Sequence, residues 1–309
     1  MHQTSPSRLV LTLGLIGGIL AVSTASILIK FAQESAPSLV IAAYRLTIAS
    51  LVLAPVAVGR KRGELRGLSR PDLRLALLSG TFLALHFASW ISSLEFTSVA
   101  SSVVLVTTTP LWVALLSPLV LHERISRAII VGMVLALAGG ILVGVSDSCS
   151  WNGGISCPSL GDFVRGEAFL GNFLALFGAW MAAGYILVGR RLRVHMSLIA
   201  YIFIVYGMAA VVEIVIMLGA GLPAFGYPAQ VYVLMILLAL VPQLIGHSTF
   251  NWALGYLPAS FVSIALLGEP IGSIILAYVI LDQAPGALNL IGCALILAGI
   301  FIASRQNKQ

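Results

Sequence analysis

Charge is scarce in this chain. Only 9% of its 309 residues are Asp, Glu, Lys or Arg, against roughly 25% in soluble domains, which excludes a globule whose whole surface faces water. Charged groups are missing where a surface meets hydrocarbon, because a charge at the bilayer centre costs at least ~2.5 kcal/mol. No GxxxxGK[ST] phosphate loop occurs, so direct driving by ATP is unsupported. No HExxH pair and no Cys/His cluster marks a metal site. No cofactor and no enzymatic activity are expected.

What is present is apolar: 59% of residues are hydrophobic. Runs bounded by polar or Pro/Gly breaks fall at Leu9–Gln33, Ser38–Val58, Leu73–Leu94, Ser98–Leu121 and Ala128–Ser146. They continue at Ala168–Arg190, Ser197–Ala220, Gln230–Ala253, Pro258–Leu281 and Ala287–Ser304. Most are near the ~20 residues a transmembrane helix needs, and none alternates with period two as a barrel strand does. The expected fold is an all-α integral membrane protein of about ten transmembrane helices. The first run is too long for the apolar stretch of a cleavable signal and reads as a span.

The net charge of +6 could mark a nucleic-acid partner, but the bases sit in short loops between apolar runs and read as orientation signals. Arg60, Lys61, Arg62, Arg66, Arg70 and Arg74, then Arg124 and Arg127, then Arg190, Arg191 and Arg193, then Arg305 and Lys308 fall on one side. The other side keeps mainly Lys30 and Arg165 beside Glu34, Glu95, Asp147, Asp162, Glu167 and Asp282. By the positive-inside rule both termini are cytoplasmic, in a multi-pass protein of the cytoplasmic (inner) membrane. Cys149 and Cys157 then share an external loop, where a disulfide and two free thiols are both open readings. Cys293, inside an apolar run, reads as a packing residue.

The chain matches itself at an offset of 160 residues: Pro110 on Pro270, Gly132 on Gly292, Ala138–Gly139 on Ala298–Gly299, Gly18 on Gly178, Leu94 on Leu254 and Lys30 on Arg190. Five helices per half is an odd number, so the second copy enters the membrane upside down. The halves are 1–146 and 168–309, joined by an external loop at 147–167. Inverted repeats around a central site are a scaffold for alternating access in secondary transporters.

Certain segments also resemble a known family. They are Leu170-Gly171-Asn172-Phe173-Leu174-Ala175-Leu176 with Trp180, then Leu266-Leu267-Gly268-Glu269-Pro270, then Ile291-Gly292 through Ala298-Gly299. Their order is similar to that in the EamA branch of the drug/metabolite transporter superfamily, over nearly the whole chain. The resemblance implies a ten-helix exporter of small metabolites, amino acids or drugs. The chain departs from the family pattern after the ninth helix, where Gly-Glu is replaced by Asp282-Gln283, and the first half has His122-Glu123 there.

Polar groups inside spans normally face a bundle interior or a wet cavity. In the eighth helix Gln243, His247 and Asn251 recur every four residues, one stripe of an α-helix, with Pro242 and Gly246 able to bend it. In the third helix Phe82, His86 and Trp90 share a face. Trp112, Trp180 and Tyr185 supply aromatic surface. Glu269-Pro270 falls near mid-membrane, where a carboxyl can bind a substrate's amino group, exchange a coupling proton, or simply be hydrogen-bonded beside the kink. Arg45 and Glu213 are the other deep charges, although Arg45 could also snorkel outward. The substrate-binding candidates are therefore His86, Trp90, Trp112, Trp180, Tyr185, Gln243, His247, Asn251 and Glu269. Glu269, Pro270, Arg45 and Glu213 are candidates for coupling or gating. Gly140-xxx-Gly144 and Gly299-xxx-Ala303 assign the fifth and tenth helices to close packing or dimerisation.

The expected function is a secondary exporter of a small organic metabolite, an amino acid or drug-like solute, working by alternating access with or without proton coupling. The cavity is expected between the third, fourth, eighth and ninth helices. Its partners are that solute, membrane lipid and, if coupled, protons; a homodimer is left open. The competing readings are an uncoupled facilitative exporter and a membrane-embedded transferase. For the latter His122-Glu123 is the one candidate pair, and it lacks further catalytic partners.

Overall fold

The computed structural model describes residues 6–120, 127–146, 150–151, 155–156 and 166–304. Cys149, Cys157 and the His122–Glu123 pair lie outside the described residues. The long helical stretches, in chain order, are α1 (Arg8–Gln33), α2 (Ser38–Arg60), α3 (Arg70–Phe96), α4 (Val99–Val120), α5 (Arg127–Ser146), α6 (Glu167–Arg193), α7 (Leu198–Gly219), α8 (Ala229–Ala253), α9 (Ala259–Leu281) and α10 (Ala287–Ser304). Eight of them, all but α5 and α10, are shown by length and hydropathy as able to cross a membrane; within α10, Ala287–Gly299 is a shorter apolar helix. A two-stranded antiparallel pair, β1 (Ser150–Trp151) and β2 (Ile155–Ser156), lies between α5 and α6.

The distribution of side chains is inverted relative to a protein dissolved in water. Leu119 and Phe225 are each 77% exposed, and Leu51, Ile141, Val215 and Val279 also point outward. Arg45, Glu213, Gln243 and Asn251 are buried. In hydrocarbon the outer face gains nothing from polar groups, and backbone groups must be satisfied within each segment, which helices do.

Several helices are interrupted where the sequence dictates. α4 breaks at Thr107–Thr108 and α9 at Leu266–Leu267, with Pro110 and Pro270 just beyond. Proline removes an N–H donor and collides with the carbonyl four residues earlier, so the helix restarts with proline in its first turn. The freed carbonyls find local donors: Thr108 Oγ1 to Leu105 at 2.7 Å, Thr109 Oγ1 to Val106 at 2.8 Å, and the Glu269 amide to Leu266 at 3.0 Å. α8 winds as a π-helix over Ala239–His247, around Pro242, a distortion frequent at functional sites.

Helices pack in pairs: α5 on α10, α3 on α6, α2 on α7, α3 on α7, and α1 on α8 and α9. The α5–α10 seam needs glycine. A Cβ on Gly139 would lie 2.5 Å from the Gly292 carbonyl oxygen and 2.8 Å from Ile296. The small-residue patterns expected close packing at Gly140-xxx-Gly144 and Gly299-xxx-Ala303; among the described residues the close approach lies at Gly139 and Gly292.

Candidate functional site

The helix breaks and the π-helical segment converge on an internal cavity. α3 contributes His86 and Trp90, the α4 break Thr107, Thr109 and Pro110, and α6 Tyr185. α8 adds His247, Phe250 and Asn251, and α9 Glu269. The space between its atoms totals about 670 Å³, part of it open to the outside, and the centre of a water molecule can occupy about 50 Å³ of it. That is room for several waters in this conformation. The sixth helix joins the four expected to form the wall.

His86 is fixed by Nδ1 at 3.0 Å from the Gly178 carbonyl oxygen. Its ring lies nearly parallel to Trp90, with centroids 6.0 Å apart, and 6.5 Å from the His247 ring. Asn251 Nδ2 donates to the Tyr185 hydroxyl, to Tyr206 Oη at 3.2 Å and to the His247 carbonyl at 2.9 Å. Two N–H donors shared among three acceptors orient the amide. Its Oδ1 is buried with no hydrogen-bond partner among the described residues, as is the Trp90 Nε1 donor.

The remaining predicted residues fall elsewhere. Gln243 does not line the cavity: the wider winding of the π-helical segment takes it out of line with His247 and Asn251, and its Oε1 instead accepts from Arg45 Nε at 2.9 Å. Trp112 and Trp180 pair edge to face with centroids 5.3 Å apart, outside the lining residues. Pro270 borders a separate small cavity with Val104, Thr107 and Cys293. Cys293 packs as expected, with Sγ 3.2 Å from Asn289 Oδ1.

Arg45 does not snorkel. It is fully buried, with its guanidinium carbon 4.0 Å from the centroid of the Phe87 ring, a cation–π contact. The Phe87 ring in turn lies against His247, centroids 5.2 Å apart. Arg45 Nη1 and Nη2 have no hydrogen-bond partner among the described residues. Arg45 is thus outside the cavity lining, and Arg45 and Glu213, the two deep charges, form no ion pair with each other within 4 Å. Tyr206, missed by sequence reasoning, links Asn251 to Ser248, its Oη 3.2 Å from Ser248 Oγ. A lone tyrosine in an apolar run gives no signal of that role.

Apolar outward faces, buried polar groups and broken helices around a cavity define a multi-pass membrane protein with an internal site. A family model for the EamA-like transporter family matches residues 10–145 and again 169–305. The chain belongs to that family, and the two matches make it a two-repeat member. It is similar to an "Uncharacterized transporter" of Archaeoglobus fulgidus, 23% identical over 290 residues, 92% of this chain and 93% of the relative. It is also similar to the "Uncharacterized transporter YetK" of Bacillus subtilis, 24% identical over 286 residues, 91% and 82% of the two chains. A solved crystal structure shares the fold with a TM-score of 0.67 at 20% identity, covering 96% of this chain and 97% of that one.

Proposed function

We propose that this transporter is a secondary exporter that carries a small organic metabolite across the cytoplasmic membrane by alternating access. The observation that carries the reading is the cavity itself, where residues from five helices meet at the breaks in α4 and α9. Discontinuous helices at a repeat interface are where secondary transporters hold their substrates.

The full reading has ten spans, with α5 and α10 included, as two inverted halves (1–146 and 168–309) and both termini cytoplasmic. Its support is a pairing pattern that maps onto itself when α1–α5 are exchanged with α6–α10: α2 with α7 and α5 with α10 are self-mapping, while α3 on α6 exchanges with α1 on α8. The paired breaks in α4 and α9 and the uneven loop charges agree.

Within this reading His86, Trp90, Tyr185, His247, Asn251 and Glu269 meet the solute. Glu269 is also the site at which a proton can couple, because it is the one acid among the described lining residues. Pro270 sets the α9 hinge, and Arg45 and Glu213 bias the interior field. Proteoliposomes loaded with candidate amines, amino acids and drug-like solutes test it. Saturable efflux that collapses in Glu269→Gln is expected, and an accompanying proton flux separates coupled from facilitated export. Unaltered transport and pH response in Glu269→Gln would remove Glu269 from the mechanism.

A further inference from the structure

Among the described residues, the cavity wall offers one carboxyl and no basic side chain other than histidine. Glu269 is the sole Asp, Glu, Lys or Arg of that described lining. Arg45, against the Phe87 ring, and Glu213 are fully buried outside the lining. Counted together, the interior groups at this site are one cation against two acids, and an unbalanced buried charge is costly. A proton can restore the balance, and so can a cationic solute.

Other features of the wall suit a solute and not a bare proton. Asn251, a lining residue, shares its amide donors among Tyr185, Tyr206 and His247, and its Oδ1 is an acceptor with no partner among the described residues. Trp90 Nε1 is a donor with no partner among the described residues, and both side chains are more than nine-tenths buried. The nearly parallel Trp90 and His86 rings, with Phe250, give flat apolar faces that favour a cation and an aromatic body. Among the described residues no lining Lys or Arg could receive a carboxylate, and the guanidinium of Arg45 is stacked on Phe87 outside the lining.

We propose that the cavity binds a small primary ammonium solute with a flat apolar body and one hydrogen-bond acceptor, and discriminates against zwitterions and anions. This rests on the cavity being the transport site, and it narrows the substrate from amino acids and drug-like solutes to organic monocations. The ammonium N–H groups meet Glu269 and Asn251 Oδ1, and the acceptor meets Trp90 Nε1.

A matched trio tests it on the purified full-length protein: 2-amino-1-phenylethanol (cation), L-phenylalanine (zwitterion) and 3-phenyllactate (anion). Binding is read by calorimetry, and transport by counterflow in proteoliposomes. The cation is expected to bind at least roughly tenfold tighter than the other two. Glu269→Gln should weaken it by roughly tenfold or more, and Trp90→Phe by roughly three- to tenfold. Equal or tighter binding of phenylalanine or phenyllactate, or binding of none of the three, overturns the inference. If Glu269→Gln does not yield folded protein, the wild-type selectivity and Trp90→Phe decide. Binding of the cation without counterflow removes the transport reading and leaves the site chemistry standing. Counterflow of phenylalanine but not of the cation does the reverse.

Discussion

Lys30 and Arg190, 160 residues apart, make the same contact: each donates to the backbone carbonyl of a leucine, Leu94 and Leu254, themselves 160 residues apart. The neighbouring pair repeats the offset. Gln33 Nε2 donates to the Ile91 carbonyl at 2.8 Å, and Arg193 Nε to the Asn251 carbonyl at 3.0 Å. All four carbonyls lie at or near helix C-termini, where the last carbonyls lack intrahelical donors and a cation is favoured. In the first half these contacts tie α1 to α3, and in the second α6 to α8. Arg193, which reads in sequence as part of a solvated basic loop, is only 4% exposed because of this role.

These clamps predict opposite consequences when cut. With the halves antiparallel, Lys30→Ala loosens one face of the cavity and Arg190→Ala the other. A hydrogen bond from a charged donor contributes about 1.5–3 kcal/mol, less where partly exposed, so an opening equilibrium should move by roughly threefold or more. A cysteine placed at Leu266 on the cavity wall, labelled by an impermeant maleimide from each side, should gain reactivity from opposite faces in the two variants. Acceleration from the same face in both would count against the arrangement.

Glu64, in the five-residue helix Arg62–Arg66 that follows α2, accepts from the Ser197 amide at 2.7 Å and hydroxyl at 2.6 Å, with Lys61 Nζ 3.6 Å away. Desolvation, the largest single influence, raises its pKa, but the Ser197 hydrogen bonds and Lys61 together outweigh it and hold the carboxyl below its ordinary value. A folded pKa below the unfolded one, about 4.3, gives stability that is present above that pH and lost as pH falls through the folded value. Glu64→Gln should therefore lower the melting temperature at pH 7, and the gap from wild type should close as pH drops below about 4.

Gly139→Ala tests the α5–α10 seam. Its new Cβ meets the Gly292 backbone, which cannot swing aside, so overpacking should cost about 1–3 kcal/mol. Gly17→Ala, with nothing among the described residues within 4 Å of the added carbon, should be neutral or stabilising by up to ~1 kcal/mol. Thermal unfolding of the two variants in the same detergent makes the comparison.

Arg45→Met tests the interior charge arrangement. Removing the one cation from a set of opposed buried groups leaves the acids uncompensated, at a cost of up to about 3–5 kcal/mol, and Gln243 Oε1 loses its donor. The variant should melt below wild type, and transport should fall. Full activity in Arg45→Met would remove Arg45 from the interior field.

The fold class was legible because hydrocarbon imposes so coarse a rule: long apolar runs, polar loops, and charge where a chain turns. Most described helix ends fall close to the sequence reading, as in Ser38 for α2 and Ala287 for α10. Six of the proposed solute contacts also line the cavity, because a polar side chain amid apolar runs announces itself. Gln243 was misplaced for a physical reason. The four-residue stripe presumes α-helical winding, and the π-helical segment around Pro242 changes the register. The Trp112–Trp180 pair shows the other limit: aromatic composition says nothing about whether a ring faces a cavity or another ring. Arg45 was ambiguous from sequence because snorkelling and burial both suit an arginine two turns into a span.

The central claim, two antiparallel halves around a shared polar cavity, is tested most directly by topology. In a variant with Cys149, Cys157 and Cys293 replaced by serine, single cysteines at Arg62, Arg191 and Glu34 are labelled in intact cells with an impermeant thiol reagent. The account predicts that Arg62→Cys and Arg191→Cys are both protected while Glu34→Cys reacts. Reaction at only one of the two arginine positions would place the basic loops on opposite sides and contradict it.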